Sequence, residues 1–421
     1  MSGTEITRPS VTRPLMATAM SFSIQSLFWH TYLPLDIFTN VDKALGFGRT
    51  GNLLNVRSVA ASDPTSDLVC RALAFSSVGR LHRDRDLVTH GNRLYGDALR
   101  LVRSAMDSPA IVVQDGFLAS CRLLSIYEVL RQEQSGESQS QSPDWQRHIL
   151  GLCQIVRVRG PSRLVENSGL MLFRDVRLLA VRSSMVARKP LVPTDFVRQA
   201  LMIQLSQQTL EDELFNMMLL NMPALMERSD RLTRKICFCD DAELADVESE
   251  LMLLIDDQMA FATSLGEFED RMVMQYSGNG QNDVPRGLPG LTAASGMGLM
   301  LLASHYWATS VSLHADMRAL TTLIQGKGVS DQLRLHKLPD WINPFEHAAN
   351  IVQTLPRFYN PEAGIWGLTH GAFPLGIVMR FYTTMCTQSS SVDLLVKSDQ
   401  VVVVMDFLAS FLNSDLVNIR K

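Results

Sequence analysis

Apolar side chains recur at three- and four-residue steps along most of this chain, the spacing that gathers them on one face of an α-helix. Trp145, His148, Ile149, Leu152, Ile155 and Val156 make one such face. Gly160-Pro161 ends it, because a proline pushes the residue before it out of helical geometry. Phe117, Leu118, Cys121, Leu124 and Val129, with Tyr127, predict a second helix that Asp115 is placed to cap. A third runs from Leu68 to Leu81 after Ser62-Asp63-Pro64, with Ser66 as its expected cap. Leu172, Phe173, Val176, Leu179 and Ala180 mark a fourth, and Leu244, Val247, Leu251, Leu254, Ile255 and Met259 a fifth. Alternating patterns are scarce. Val401 to Val404 is β-prone but runs into Met405-Asp406-Phe407-Leu408, which fits a buried helix at least as well. The expected fold class is all-α, a large multi-helix domain of roughly a dozen helices. No helical-solenoid repeat recurs with fixed landmarks.

Two stretches break the helical pattern. Gln132 to Asp144 has no apolar residue to bury and reads as a solvated loop, and Ser277 to Gly290 is rich in Gly, Pro and Asn. Residues 1–59 are expected to form a partly disordered N-terminal segment, and residues 60–415 the helical domain. The most apolar stretches, Leu299 to Leu302 and Val401 to Leu412, fall well short of the ~20 residues that span a bilayer, so no membrane partner is expected. Nor does the N-terminus combine a basic region with a continuous apolar run, as a secretory signal would.

Composition fits this picture. Hydrophobic residues make up 46% of the 421 positions and charged residues 19%, enough to bury a sizeable core. The net charge of −4 supplies no strong field toward nucleic acid or an anionic membrane. Its distribution is uneven: Arg80 to Lys189 carries 17 Arg/Lys against 11 Asp/Glu, and Leu191 to Leu291 carries 7 against 18. The two halves are either solvated helix faces that attract each other, or the acidic one, Glu211 to Asp270, faces a protein partner. The six scattered cysteines, Cys70, Cys121, Cys153, Cys237, Cys239 and Cys386, show no C-x-x-C spacing and no disulfide framework, which favours a reducing compartment.

Candidate chemistry is sparse. Asp240-Asp241 with Glu243 and Asp246, and Asp256-Asp257, invite comparison with aspartate-rich magnesium sites. Leu244, however, stands where the last carboxylate of an Asp-Asp-x-x-Asp run belongs. His148 reads as a core residue beside Trp145. His305 and His314 are nine apart on one helix and point in nearly opposite directions, while His336, His347 and His370 stand alone in sequence. Gly287 to Gly290 and Gly296-Met297-Gly298 lack the Lys and Ser/Thr of a phosphate loop. The methionine clusters Met217-Met218, Met222 and Met226, and Met297 with Met300, either fill core gaps or line a pliable pocket. The runs Arg80 to Asp86 and Arg157 to Arg163 are too neutralised, or too close to a helix end, to define a DNA site. No catalytic, cofactor-binding or metal-ligating residue is therefore assigned.

One ordered set of landmarks goes further. Tyr95-x-x-Ala98-Leu99-x-x-Val102 is followed by Phe117-Leu118-Ala119-x-x-x-Leu123-Leu124-x-x-Tyr127-Glu128, then Trp145-x-x-His148-x-x-Gly151 and Arg159-Gly160-Pro161. Gly169-x-x-Leu172-Phe173-x-x-x-Arg177, Arg188-Lys189-Pro190, Gly364-Ile365-Trp366-Gly367 and Phe373-Pro374-Leu375 complete it. This order resembles the regulatory domain of fungal-specific transcription factors, which lies downstream of a binuclear zinc-cluster DNA-binding module. The resemblance covers about residues 60 to 415. Residues 1 to 60 contain no cysteine, so that module is missing here. The chain thus resembles the stand-alone regulators of fungal secondary-metabolite gene clusters, or else a truncated product.

The resemblance implies a nuclear transcription regulator, not an enzyme. It would work through other transcription factors or coactivators, contact DNA only indirectly or weakly, and leave room for a small-molecule effector or a homodimer. Gly151 is expected to permit close helix approach. The rival reading is a helical biosynthetic enzyme of a secondary-metabolite pathway, with a pocket where titratable groups such as His305 and carboxylates converge.

Overall fold

Aspartate, asparagine and proline set many of the helix starts. The structure, a computed structural model, describes residues 12–32, 54–132, 143–164, 167–206, 209–238, 244–277, 296–326 and 338–388. Among them are 14 α-helices and no strand. In chain order these are α1 (Thr12–Tyr32), α2 (Leu54–Ala60), α3 (Pro64–Leu81), α4 (Arg85–Ala105), α5 (Pro109–Val112), α6 (Asp115–Gln132) and α7 (Pro143–Arg159). They continue with α8 (Asn167–Ala187), α9 (Thr194–Ser206), α10 (Leu210–Phe238), α11 (Leu244–Ser277), α12 (Met297–Gly326), α13 (Pro344–Phe358) and α14 (Gly364–Gln388). The all-α expectation is met. The loop stretches at 133–142 and 278–290 and the β-prone Val401 to Val404 lie outside the described residues.

Two expected caps shift. Asp63, not Ser66, caps α3: its carboxylate accepts the Ser66 N–H at 2.7 Å, and Pro64 occupies the first turn, where no N–H is needed. The Ser66 hydroxyl is buried and donates to the Gly116 carbonyl at 2.7 Å. Asp115 is the first residue of α6, and its carboxylate instead accepts from Arg159 at the end of α7 and from Ser168 at the start of α8. One carboxylate thus ties three helices together. The stop after Arg159 is as expected, with Gly160 at φ 72° and Pro161 opening a short 3₁₀ turn.

Packing follows chain order and then closes on itself. The α3–α4 hairpin stacks on α1 and α6; α6 meets α7 and α8; α8 meets α10; α10 meets α11 and α12; α12 meets α13 and α14; and α14 returns to α1. The hairpin depends on Gly91, where an added Cβ would sit 2.3 Å from Ser76 Oγ. Gly151 has open space around its missing Cβ and faces solvent, so the close approach expected there occurs elsewhere. Phe28, Trp29 and Tyr32 of α1 are buried in the shared core. The packed unit therefore begins ahead of residue 60, because an aromatic face this large is costly to leave in water.

The acidic half is not one free surface. Glu211 and Asp212 are buried, and Asp212 on α10 accepts from Arg174 Nε at 3.0 Å and Arg177 Nη2 at 2.6 Å, both from α8. Glu213 pairs with Arg271, Asp230 with Arg188, and Glu250 with Arg231 and Lys235. Glu227, Asp256, Glu267 and Asp270 remain exposed. Among the described residues no helix is long and apolar enough to cross a membrane.

Candidate functional site

The chemistry of this fold concentrates where α1, α6, α8 and α14 converge around a cavity of ≈ 240 Å³. The α14 sequence builds one wall. Trp366 is fully buried and stacks on His370 one turn later, with ring centroids 4.4 Å apart. The His370 Nδ1–H donates to the Trp366 carbonyl at 2.8 Å, which leaves Nε2 as an acceptor. Among the described residues that atom has no hydrogen-bond partner. Pro374, inside the same helix, has no N–H to offer the His370 carbonyl, so one helical hydrogen bond is missing beside the cavity.

Arg182 of α8 reaches across to this wall. Its Nε donates to His305 Nε2 at 3.0 Å and its Nη1 to the Thr369 carbonyl at 3.3 Å, while Nη2 finds no acceptor among the described residues. Burial and the like charge of Arg122 pull the Arg182 pKa down to about 9. Arg122 of α6 pairs with Asp175 of α8, so that carboxylate is already engaged. Tyr32, the last residue of α1, lines the cavity with its hydroxyl against Thr369, and burial pushes its pKa up to about 12. Ile126, Leu179, Trp145 and Phe373 supply the apolar lining.

His305 stands just behind this wall. Its Nδ1–H donates to the Leu301 carbonyl at 2.8 Å, and its ring stacks on Phe373 with centroids 5.2 Å apart. Burial, and then the Arg182 charge, hold it neutral with a pKa well below the usual range. His370 is neutral for the same two reasons. At this site two guanidiniums and one carboxylate meet two neutral imidazoles.

The other candidates are dispersed. His148 is half-buried, next to the cavity-lining Trp145. His314 lies 5.4 Å from His347 by ring centroids, a pairing that linear spacing did not reveal. His336, Cys239, Asp240, Asp241, Glu243 and Gly287 to Gly290 lie outside the described residues, as do the side chains of Asp246 and Cys386. Asp256 is exposed, and Asp257 accepts from Arg228 at 2.5 Å. Among the described residues no group of three ligands could hold a metal ion. Burial pushes the thiols of Cys70, Cys121 and Cys153 up to about 12.

Met218, Met222, Met226, Met297 and Met300 are buried in the core, and the methionine on the cavity is Met379. Arg157 and Arg163 face solvent, whereas Arg159 turns inward to Asp115, and Arg80 donates to the Leu130 carbonyl at 2.9 Å. Neither basic run forms a continuous cationic face. The sequence pattern does not mark out Tyr32, Arg122, Arg182 or Thr369. The available signal was an arginine embedded in an apolar helix face, as in Leu178-Leu179-Ala180-Val181-Arg182.

No family model matches the chain, and no solved structure matches it. A curated relative, the uncharacterized protein AN5342 of Emericella nidulans, is 28% identical over 121 residues, which is 28% of this chain. The chain covers 24% of that relative's length.

Proposed function

We propose that this chain is a nuclear transcription regulator that controls a gene set, in the manner of a fungal secondary-metabolite cluster regulator, through contacts with other transcription factors or coactivators. The observation that supports this reading is how the landmarks of the resemblance are used. Trp145, Arg159, Leu172, Phe173, Arg177, Trp366 and Phe373, spread over more than half the chain, are all buried in one helical core. Landmarks used this way shape a scaffold, and a scaffold is what a regulatory domain supplies. The test is deletion of the gene with transcript profiling and chromatin occupancy. Coordinated change in a biosynthetic gene set, with the protein present at those promoters, is the expected result. Unchanged transcripts would discard the reading.

A second reading has one observation in its favour: Tyr32 and His370, both capable of moving protons, line one cavity. It makes the chain a helical biosynthetic enzyme. The carboxylate partner that reading expected for His305 is replaced by Arg182. Accumulation of a single pathway intermediate with normal transcripts in the deletion strain would favour this reading over the regulator.

A further inference from the structure

The cavity carries an electrostatic imbalance that the described residues do not correct. Arg122 and Arg182 both line it, and no Asp or Glu does. The carboxylate behind it, Asp175, is bound by Arg122. Arg182 is left with two neutral acceptors, an imidazole nitrogen and a carbonyl. Two buried guanidiniums that share the single carboxylate of Asp175 leave positive charge uncompensated, which is costly, and a guanidinium nitrogen with unused N–H groups is a good donor to a carboxylate. The unpartnered Arg182 Nη2 and His370 Nε2 add one unused donor and one unused acceptor on side chains of the same wall.

Most of the rest of the lining is aliphatic and aromatic, including Ile126, Leu179, Trp145 and Phe373. The volume of ≈ 240 Å³ is below the ~300–1,000 Å³ typical of sites for drug-sized molecules. Of the lining residues, Gly376 is exposed to solvent.

We propose that this cavity binds a small carboxylic acid with an apolar body, its carboxylate held by Arg182 and its body seated against Trp145, Leu179 and Phe373. The acid supplies the second negative charge that Arg122 and Arg182, with Asp175 between them, lack. Uncharged analogues of the same shape leave the guanidinium uncompensated and bind poorly. That such an acid acts as an effector rests on the regulator reading, whereas the binding itself does not. Binding is read on purified protein and regulation on transcripts, so either claim can fail without the other.

The experiment titrates the full-length chain with hexanoate, phenylacetate and salicylate, and with their primary amides, by calorimetry and thermal unfolding. At least one acid should bind saturably and raise the unfolding midpoint, with its amide about tenfold weaker or worse. Arg182→Met should weaken the acid by about tenfold or more. Since that change removes a buried hydrogen-bond network, a second variant guards against simple misfolding. Gly376→Leu adds a side chain at the exposed lining position, where a Cβ meets nothing within 4 Å, and it should abolish acid binding while the midpoint of the free protein holds. Absence of binding by every acid, equal affinity for acid and amide, or undiminished binding by folded Gly376→Leu would each overturn the proposal.

Discussion

Arg182 on α8 donates its Nε–H to Nε2 of His305 on α12 at 3.0 Å, across 123 residues of sequence. The bond requires a neutral imidazole, and the His305 Nδ1–H is already committed to the Leu301 carbonyl. A cation and a base that would repel each other if both were charged are thereby locked as donor and acceptor. The bond ties α12 to α8 just behind the cavity wall.

His305→Phe keeps an aromatic ring against Phe373 but removes the acceptor, leaving Arg182 Nε buried and unpaired. The variant should lose about 1–3 kcal/mol of unfolding free energy. Urea denaturation measures this directly. A variant as stable as the parent would show that the bond contributes nothing.

Acidification should destabilise the fold through buried histidines. His305 and His370 have pKa values well below the ordinary imidazole value, and burial lowers His314 to about 3 and His347 to about 4. Because the unfolded chain takes up protons near pH ~6.5 and the folded chain resists them, the stability contributed is complete above that pH. It is lost as pH falls from there through about 4 for His347 and about 3 for His314. Unfolding midpoints at descending pH should drop, and the drop should be shallower in a His314→Phe, His347→Phe double variant. Equal slopes in the two proteins would contradict the assignment.

The buried network at Asp212 predicts a sharp contrast among acidic residues. Asp212→Asn leaves Arg174 and Arg177 without their shared carboxylate and should cost about 3–5 kcal/mol. Charge reversal at the exposed Glu227, Asp256, Glu267 and Asp270 should leave the unfolding midpoint nearly unchanged. If those four form a docking face, affinity purification with the reversed variant will recover fewer transcription partners than the parent does. Undiminished recovery would remove the face from consideration.

Two glycines should respond oppositely to alanine. Gly91→Ala drives a methyl into Ser76 at the α3–α4 crossing and should destabilise by about 1–3 kcal/mol. Gly151→Ala, on a solvent-facing helix position, should stabilise by about 0.5–1 kcal/mol. Thermal unfolding of the two single variants separates these outcomes.

The amino-acid sequence by itself determined that the chain is helical and where α7 ends, and it left the methionine clusters between core and pocket until the structure placed most of them in the core. The first two are local. Side-chain periodicity selects helix over strand, Gly160-Pro161 stops a helix wherever it packs, and Met218 and Met222 share the buried stripe of their own helix. Capping was legible only to within a turn, since Ser66 and Asp63 are both good caps and Pro64 decided between them. The meeting of helix faces was decided only in three dimensions. Tyr32, Arg122, Arg182 and His370 come from four helices, and each looks like an isolated polar residue on an apolar stripe. Periodicity states which face is buried but not which face it is buried against, so the partner of a buried charge, and whether it has one, is a property of the packed fold.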